Sequence, residues 1–494
     1  MKQSPSTTET EQNNVDNSAD LTIHAARTRL DAGTLTSETV VSDCIGRARA
    51  GVDLNVFITL DEQGALAAAR AADALVGGMS SKPLGGIPIV VKDNIHAAGL
   101  PCTAGTPALT GFVPETDAPV VQKLREAGAI ILGKTNMHEL AFGGTGYNAA
   151  FHGDRYIGVR NPYDPARIAG GSSSGSAAAL GARMALGALG TDTGGSMRIP
   201  CALNGCASLR PSTGRYPQQG IAPISTSRDT AGPMALCMDD VALLDGVISG
   251  DSSFDELDPG TLRLGIVPGF WANLDIETQS VTATALARLR EAGVTLFEVA
   301  DDRIQELNRA IGFPVVLYEA YDAMVTYLQA CGAGIDIRTL VDHIASPDVK
   351  AIYERFVLPR RLPAAGDTTV DAEPVYRQAL HSGRPALQAH YRELFDNHKL
   401  DALLFPTVPV VAPLATTDVS GPDIFERLIQ NTEPAASAGL PGIQLPAGLG
   451  EQTGMPVGLE LDGPAGTDRR LLAIGVALES VLGRIAAASV VAWK

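Results

Sequence analysis

Three short stretches carry the residues able to break an acyl bond. In GGIPIVVKDN (85–94) Lys92 closes the apolar, strand-like run IPIVV. An amine at the end of such a run is expected to be desolvated, which lowers its pKa and leaves part of it neutral and able to take a proton. In GGSSSGS (170–176) and GTDTGGS (190–196) serines stand among glycines. Loops of that composition expose backbone N–H groups and let a substrate approach closely. Ser196 follows Thr193, Gly194 and Gly195, so its hydroxyl can attack a carbonyl while the neighbouring amides hold the developing oxyanion. A serine nucleophile needs a base. None of the eight histidines stands beside either loop, which leaves Lys92 as the candidate.

The same residues fit other chemistries less well. GSSSG (171–175) fits the nucleophile elbow G-x-S-x-G with Ser173 as nucleophile, but an elbow follows a buried strand, and Asn161–Pro162 and Asp164–Pro165 break the chain there. No lysine has serine three residues before it, so the S-x-x-K arrangement is absent, and no glycine loop ends in the G-K-[ST] of a phosphate-binding loop. His138 and His152 lack a second ligand at i+3 or i+4 and read as polar loop residues, not metal ligands.

In that order and spacing the three stretches resemble the successive blocks of the amidase signature family. KTNMHELAFGGTGYN (134–148), RNPYDPARIAGG (160–171), LRPSTGRYP (209–217), NTEPAASAGLPGIQLPAG (431–448) and GMPVGLELDG (454–463) also resemble family segments, so the likeness runs from about residue 20 to 485. It implies a large α/β/α fold around a central mixed β-sheet and a Ser–cis-Ser–Lys triad: Ser196 as nucleophile, Ser172 as bridging serine after a cis Gly171–Ser172 bond, Lys92 as general base. It further implies an oxyanion hole of Thr193, Gly194 and Gly195, with Asp192 and Arg198 bracing the loop. Ala141, Phe142, Gly143 and Ile199 are expected at the substrate, Ile199 offering nothing to an anionic acyl group. Ser174 departs from the family, where many members carry glycine. The expected activity is hydrolysis of a small apolar or aromatic amide through a seryl acyl-enzyme, the wording being most similar to the indoleacetamide and mandelamide hydrolase branch. A glutaminase subunit of a tRNA-dependent amidotransferase, or a hydrolase of carbamates, ureas or anilides, is the alternative.

The elements that must position these residues follow from periodicity. Apolar runs alternate with helical segments as in an α/β protein: strands near 56–60, 87–91, 129–133 and 188–191, with helices at 21–30, from 37, over 61–76, at 118–127 and at 174–185. A second passage runs through 263–267, 277–291 and 294–299. Residues 303–395 read as a mostly helical insertion, and strands return in DALLFPTV, GIQLPAG and GLELDG before a helix at 467–482. Residues 1–20, with one Val, are expected to be a disordered tail to a single domain over 21–494.

Composition bounds the rest. Of 494 residues 45% are hydrophobic and 19% charged, enough for a large core, and the net charge of −17 repels a phosphate backbone. The apolar runs are too short to cross a bilayer. Six scattered cysteines without a CxxC suit reduced buried thiols. The expectation is a cytoplasmic enzyme, a homodimer, that binds a small-molecule amide and needs no cofactor, metal, nucleic acid or membrane.

Overall fold

The computed structural model describes residues 21–75, 81–153, 157–301, 303–416 and 420–488; the expected tail at 1–20 lies outside them. Thirteen strands occur among the described residues. In chain order they are β1 (Phe57–Leu60), β2 (Pro88–Lys92), β3 (Ile130–Thr135), β4 (Gly187–Asp192), β5 (Ala207–Arg210), β6 (Thr230–Ala235), β7 (Arg263–Ile266), β8 (Thr295–Glu298), β9 (Arg361–Ala364), β10 (Thr368–Asp371), β11 (Ala402–Pro406), β12 (Gly442–Leu449) and β13 (Pro456–Asp462). Eleven form one sheet in the order β1-β3-β2-β4-β6-β5-β12-β13-β11-β7-β8.

That sheet is mixed. β3, β2 and β4 run parallel, whereas β4–β6–β5–β12–β13–β11 are antiparallel neighbours, and β11–β7–β8 are parallel again. Strands buried on both faces read as continuous apolar runs, which is why IPIVV does not alternate. All five residues of β2 are buried. Helices cover both faces. A Cβ at Gly187 would point at Leu244 of the helix Met238–Ser249, and one at Gly190 would point at Met197 and Ser173. Positions three apart on a strand face opposite ways, so the two glycines mark the two layers.

The register sets the site. Val91 pairs with Leu189, and Lys92 with Thr135, so Lys92 and Asp192 end two adjacent parallel strands. The crevice beyond the carboxyl ends of such strands is where α/β sheets bind ligands. The helix Ser174–Gly181 packs there with every residue buried. Its small side chains allow the approach: a Cβ at Gly175 would stand 2.4 Å from the Val56 carbonyl oxygen and 2.6 Å from that of Asn136.

Several expectations change in detail. The helix expected to reach 185 stops at Gly181, because Arg183 adopts φ +59° and turns the chain into β4. The region 303–395 is helical over Arg303–Arg309, Gly312–Ala330, Ile337–Asp342, Pro347–Ile352, Ala372–Gln378 and most of Arg384–His398, yet it also holds the β9–β10 hairpin, which no expectation covered. Among the described residues no helix is long and apolar enough to cross a membrane. The six cysteines are free, five of them buried and Cys331 partly so.

Candidate active site

Lys92 is fully buried at the end of β2. Its Nζ lies 2.8 Å from Ser172 Oγ, 2.7 Å from Thr191 Oγ1 and 3.4 Å from the Thr191 carbonyl oxygen. Burial takes the ammonium out of water and pulls its pKa from 10.5 to about 7, against the fields of Asp192 and Asp229, which act the other way. The amine is therefore partly neutral at neutral pH. The Gly171–Ser172 peptide bond is cis.

Ser196 sits in the turn between β4 and the helix Arg198–Asn204, half-buried. The two serine loops are tied by a hydrogen bond from the Ser173 amide to the Ser196 carbonyl, 3.0 Å. Ser196 Oγ itself makes no hydrogen bond to any described residue, so the link from Ser172 to Ser196 is open. Ser173 is not a competing nucleophile. It is fully buried, and its hydroxyl donates to the Thr191 carbonyl at 3.1 Å while accepting the Thr191 amide at 3.3 Å.

The loop that presents Ser196 is braced by charge. Asp192, fully buried, accepts from Arg198 Nε at 3.1 Å, Arg198 Nη2 at 3.0 Å and Arg210 Nη1 at 3.1 Å. Burial alone would raise its pKa, but the two guanidinium groups hold it well below the usual carboxylate range. Arg198 also reaches Glu460 on β13, whose own carboxyl is pushed well up by burial. Of the expected oxyanion trio, Gly195 donates its N–H to Asp192 Oδ1 at 2.7 Å. The amides of Thr193, Gly194 and Ser196 have no hydrogen-bond partner among the described residues.

The expected substrate loop lies against the bridging serine: the His138 amide donates to the Ser172 carbonyl, 3.2 Å. Ala141 is buried, Phe142 and Gly143 half-buried, and the Phe142 ring meets Tyr353 edge-on at 5.4 Å. Ile199 is buried on the other side, its Cδ1 2.8 Å from where a Gly195 Cβ would stand, and Ile429 Cδ1 is 3.1 Å from the same point on Gly194. Beside them stand polar atoms, Thr432 Oγ1 at 2.1 Å from the Gly195 Cβ position and Arg228 Nη2 at 3.1 Å from the Gly194 one. His138 pairs with Asp348 at 3.1 Å, and His152 is exposed; among the described residues no cluster of three or more His, Cys, Asp or Glu could hold a metal ion. A cavity of about 1350 Å³ is lined in part by Asp229, whose carboxylate accepts from Thr193 Oγ1 at 2.6 Å; none of Lys92, Ser172 and Ser196 lines it.

Sequence reasoning missed the second tier. Thr191 and Asn94 at the amine, Arg210 at the loop, and Thr432, which donates to the Gly194 carbonyl at 2.6 Å, lie within the quoted blocks, and Arg228, also at the loop, lies outside them. Nothing in their types marked them out.

Similarity decides the family. A family model described as Amidase matches residues 39–472. The chain belongs to the amidase family. As its members do, it hydrolyses amide C–N bonds. It is 45% identical to the mandelamide hydrolase of Pseudomonas putida over 94% of this chain and 92% of that one. It is 39% identical to the indoleacetamide hydrolase of Agrobacterium vitis over 90% and 93%. The crystallised peptide amidase from Stenotrophomonas maltophilia superposes on this amidase with a TM-score of 0.79 at 30% identity, covering 96% of this chain and 99% of that one.

Proposed function

We propose that this amidase cleaves small aromatic carboxylic amides to acid and ammonia through an acyl-enzyme on Ser196. Neutral Lys92 takes the proton of Ser172, Ser172 takes that of Ser196, and Ser196 Oγ attacks the carbonyl. The oxyanion is received by the amides of Thr193, Gly194 and Ser196. The proton returns along the relay to the leaving nitrogen, since an amine departs easily only once protonated. Water then enters the vacated position and is deprotonated by the same relay, which releases the acid. The link between Ser172 and Ser196 closes when substrate fills the site, as catalytic hydrogen bonds commonly do.

The observation that carries this reading is the desolvated amine of Lys92 held 2.8 Å from Ser172 Oγ. The aromatic preference draws support from the names of the two hydrolase relatives and from the apolar side chains of Ile199 and Ile429 beside Gly195 and Gly194. In the same reading Asp192 and Arg198 position the loop, and the enzyme works in the cytoplasm as a homodimer with no cofactor. Light scattering on the eluting protein tests the dimer.

The activity test is a hydrolysis panel of phenylacetamide, mandelamide, indoleacetamide, glutamine, an anilide and a carbamate, run with the wild type and Ser196→Ala. Turnover of the aromatic amides, with an acyl adduct in the wild type and none in Ser196→Ala, is the expected result. A Ser196→Ala enzyme that still traps acyl group overturns the assignment of the nucleophile, and preference for glutamine overturns the substrate class.

A further inference from the structure

We propose that Thr191 is a positioning residue that aims the lone pair of the neutral Lys92 amine at Ser172, with Asn94 holding Thr191 in its accepting orientation. The inference rests on the relay proposed above. A neutral primary amine has two N–H bonds and one lone pair, and three oxygens lie within reach: the Thr191 carbonyl at 3.4 Å, Thr191 Oγ1 at 2.7 Å and Ser172 Oγ at 2.8 Å. A carbonyl only accepts, so it takes one N–H. The two hydroxyls then compete for the lone pair, and only one outcome is productive. If Thr191 donated to Nζ, Ser172 would keep its proton.

Asn94 bears on that competition. Its Nδ2 donates to the Ala222 carbonyl at 3.2 Å, which fixes the orientation of the amide, and its second N–H points to Thr191 Oγ1, also at 3.2 Å. Asn94 occupies one lone pair of Oγ1 and so removes one of the three orientations of the hydroxyl; with the O–H turned away from Lys92, the second lone pair accepts from Nζ and the amine's own lone pair is left to Ser172. After proton transfer the ammonium has three N–H bonds for the same three oxygens. The N–H bonds of Lys92 thus find acceptors in both protonation states without movement, which is what preorganisation requires. All four side chains are buried. The charged groups whose fields reach the amine are Asp192 at the end of β4 and Asp229 before β6; Asp93 and Lys134, next along β2 and β3, pair with each other at 3.4 Å.

The experiment compares Thr191→Val, which keeps the shape and removes the hydroxyl, with Thr191→Ser, which restores it, over a full pH range on one aromatic amide. Active sites are counted by the acylation burst. Thr191→Val is expected to lose roughly ten- to a hundredfold in kcat per active site with KM changed less than about twofold. Its acid limb of kcat/KM should move to lower pH, because the ammonium has lost an acceptor and the neutral form is favoured. Thr191→Ser should recover both. A purely structural role would lower the count of active sites and leave the limb in place. An unmoved limb, or an undiminished kcat, in Thr191→Val overturns the proposal while an inactive Lys92→Ala leaves the relay standing; a Lys92→Ala enzyme of wild-type activity overturns the relay and this inference together.

Discussion

The base role proposed for Lys92 comes at a cost to the fold. A lysine whose pKa falls from 10.5 to about 7 on folding gives up several kcal/mol of solvation that a nonpolar side chain would not need. Lys92→Met is therefore expected to abolish hydrolysis and raise the thermal midpoint near pH 7 by a few degrees, read by calorimetry. The linkage has a definite sign. Between pH 7 and 10.5 the unfolded chain binds a proton that the folded one does not, so wild-type stability gains a rising contribution across that window, and the methionine variant lacks it. In the proposed mechanism the neutral amine is the working form, so kcat/KM should climb through about pH 7 and level off above it. A profile flat from pH 5 to 9 would remove Lys92 from the base role. Lys92, Ser172 and Ser196 were legible because their neighbours are unusual, a cation ending an apolar run and serines set among glycines. Thr191 and Asn94 were not, since a threonine ending a strand and an asparagine in a turn are ordinary until coordinates bring them onto the same amine.

The nucleophile loop depends on one carboxylate serving several donors. Asp192 accepts from Arg198, Arg210, the Gly195 amide and the Met197 amide, all in the interior. Asp192→Ala leaves two buried guanidinium groups without it, a change that typically costs about 3–5 kcal/mol. The expected result is a thermal midpoint lowered by several degrees together with lost activity; a midpoint equal to wild type would mean that the charges are satisfied elsewhere. Because its folded pKa is depressed, the contribution of Asp192 is complete above the ordinary aspartate pKa near 3.8 and is lost as pH falls below it. Gly195 is a sharper probe. Its φ of +134° favours glycine, and a Cβ there would stand 2.1 Å from Thr432 Oγ1 and 2.8 Å from Ile199 Cδ1. Gly195→Ala should leave a folded protein that no longer forms the acyl adduct, checked by circular dichroism beside mass spectrometry. The strands that supply Arg210 and flank Arg228 escaped the sequence reading for a physical reason. β6, TAGPMA, has Thr230 as its one branched residue and holds Pro233 in an interior strand. It is tolerated because the ladder to β5 covers only Met234 and Ala235, leaving Pro233 beyond it.

The insertion is more than an appendage, since it closes on the site from a distance of two hundred residues in sequence. Glu139, fully buried, accepts the Ala345 amide at 3.1 Å and the Ser346 amide at 2.7 Å; Ser346 Oγ accepts the Ala149 amide at 3.1 Å; His138 holds Asp348; Phe142 meets Tyr353. Every one of these contacts joins the substrate loop at 138–149 to residues 345–353. The mostly helical character of this region was readable from periodicity, but its partner was not, because pairs so far apart leave no local pattern. A carboxylate accepting two buried amides is costly to remove, as each orphaned N–H loses about 1–3 kcal/mol. Glu139→Ala should therefore free the insertion from the loop without dismantling the sheet. Amide hydrogen exchange is expected to quicken at 139–143 and 345–352 and to stay slow in β2, β4 and β13, where the ladders are intact. If the loop shapes the acyl pocket, KM for an aromatic amide should rise several-fold while kcat changes less, because Lys92 and Ser172 keep their own contacts. Exchange that quickens uniformly along the chain, or an unaltered KM with a collapsed kcat, would show instead that Glu139 supports the core and that the insertion has no hold on the substrate.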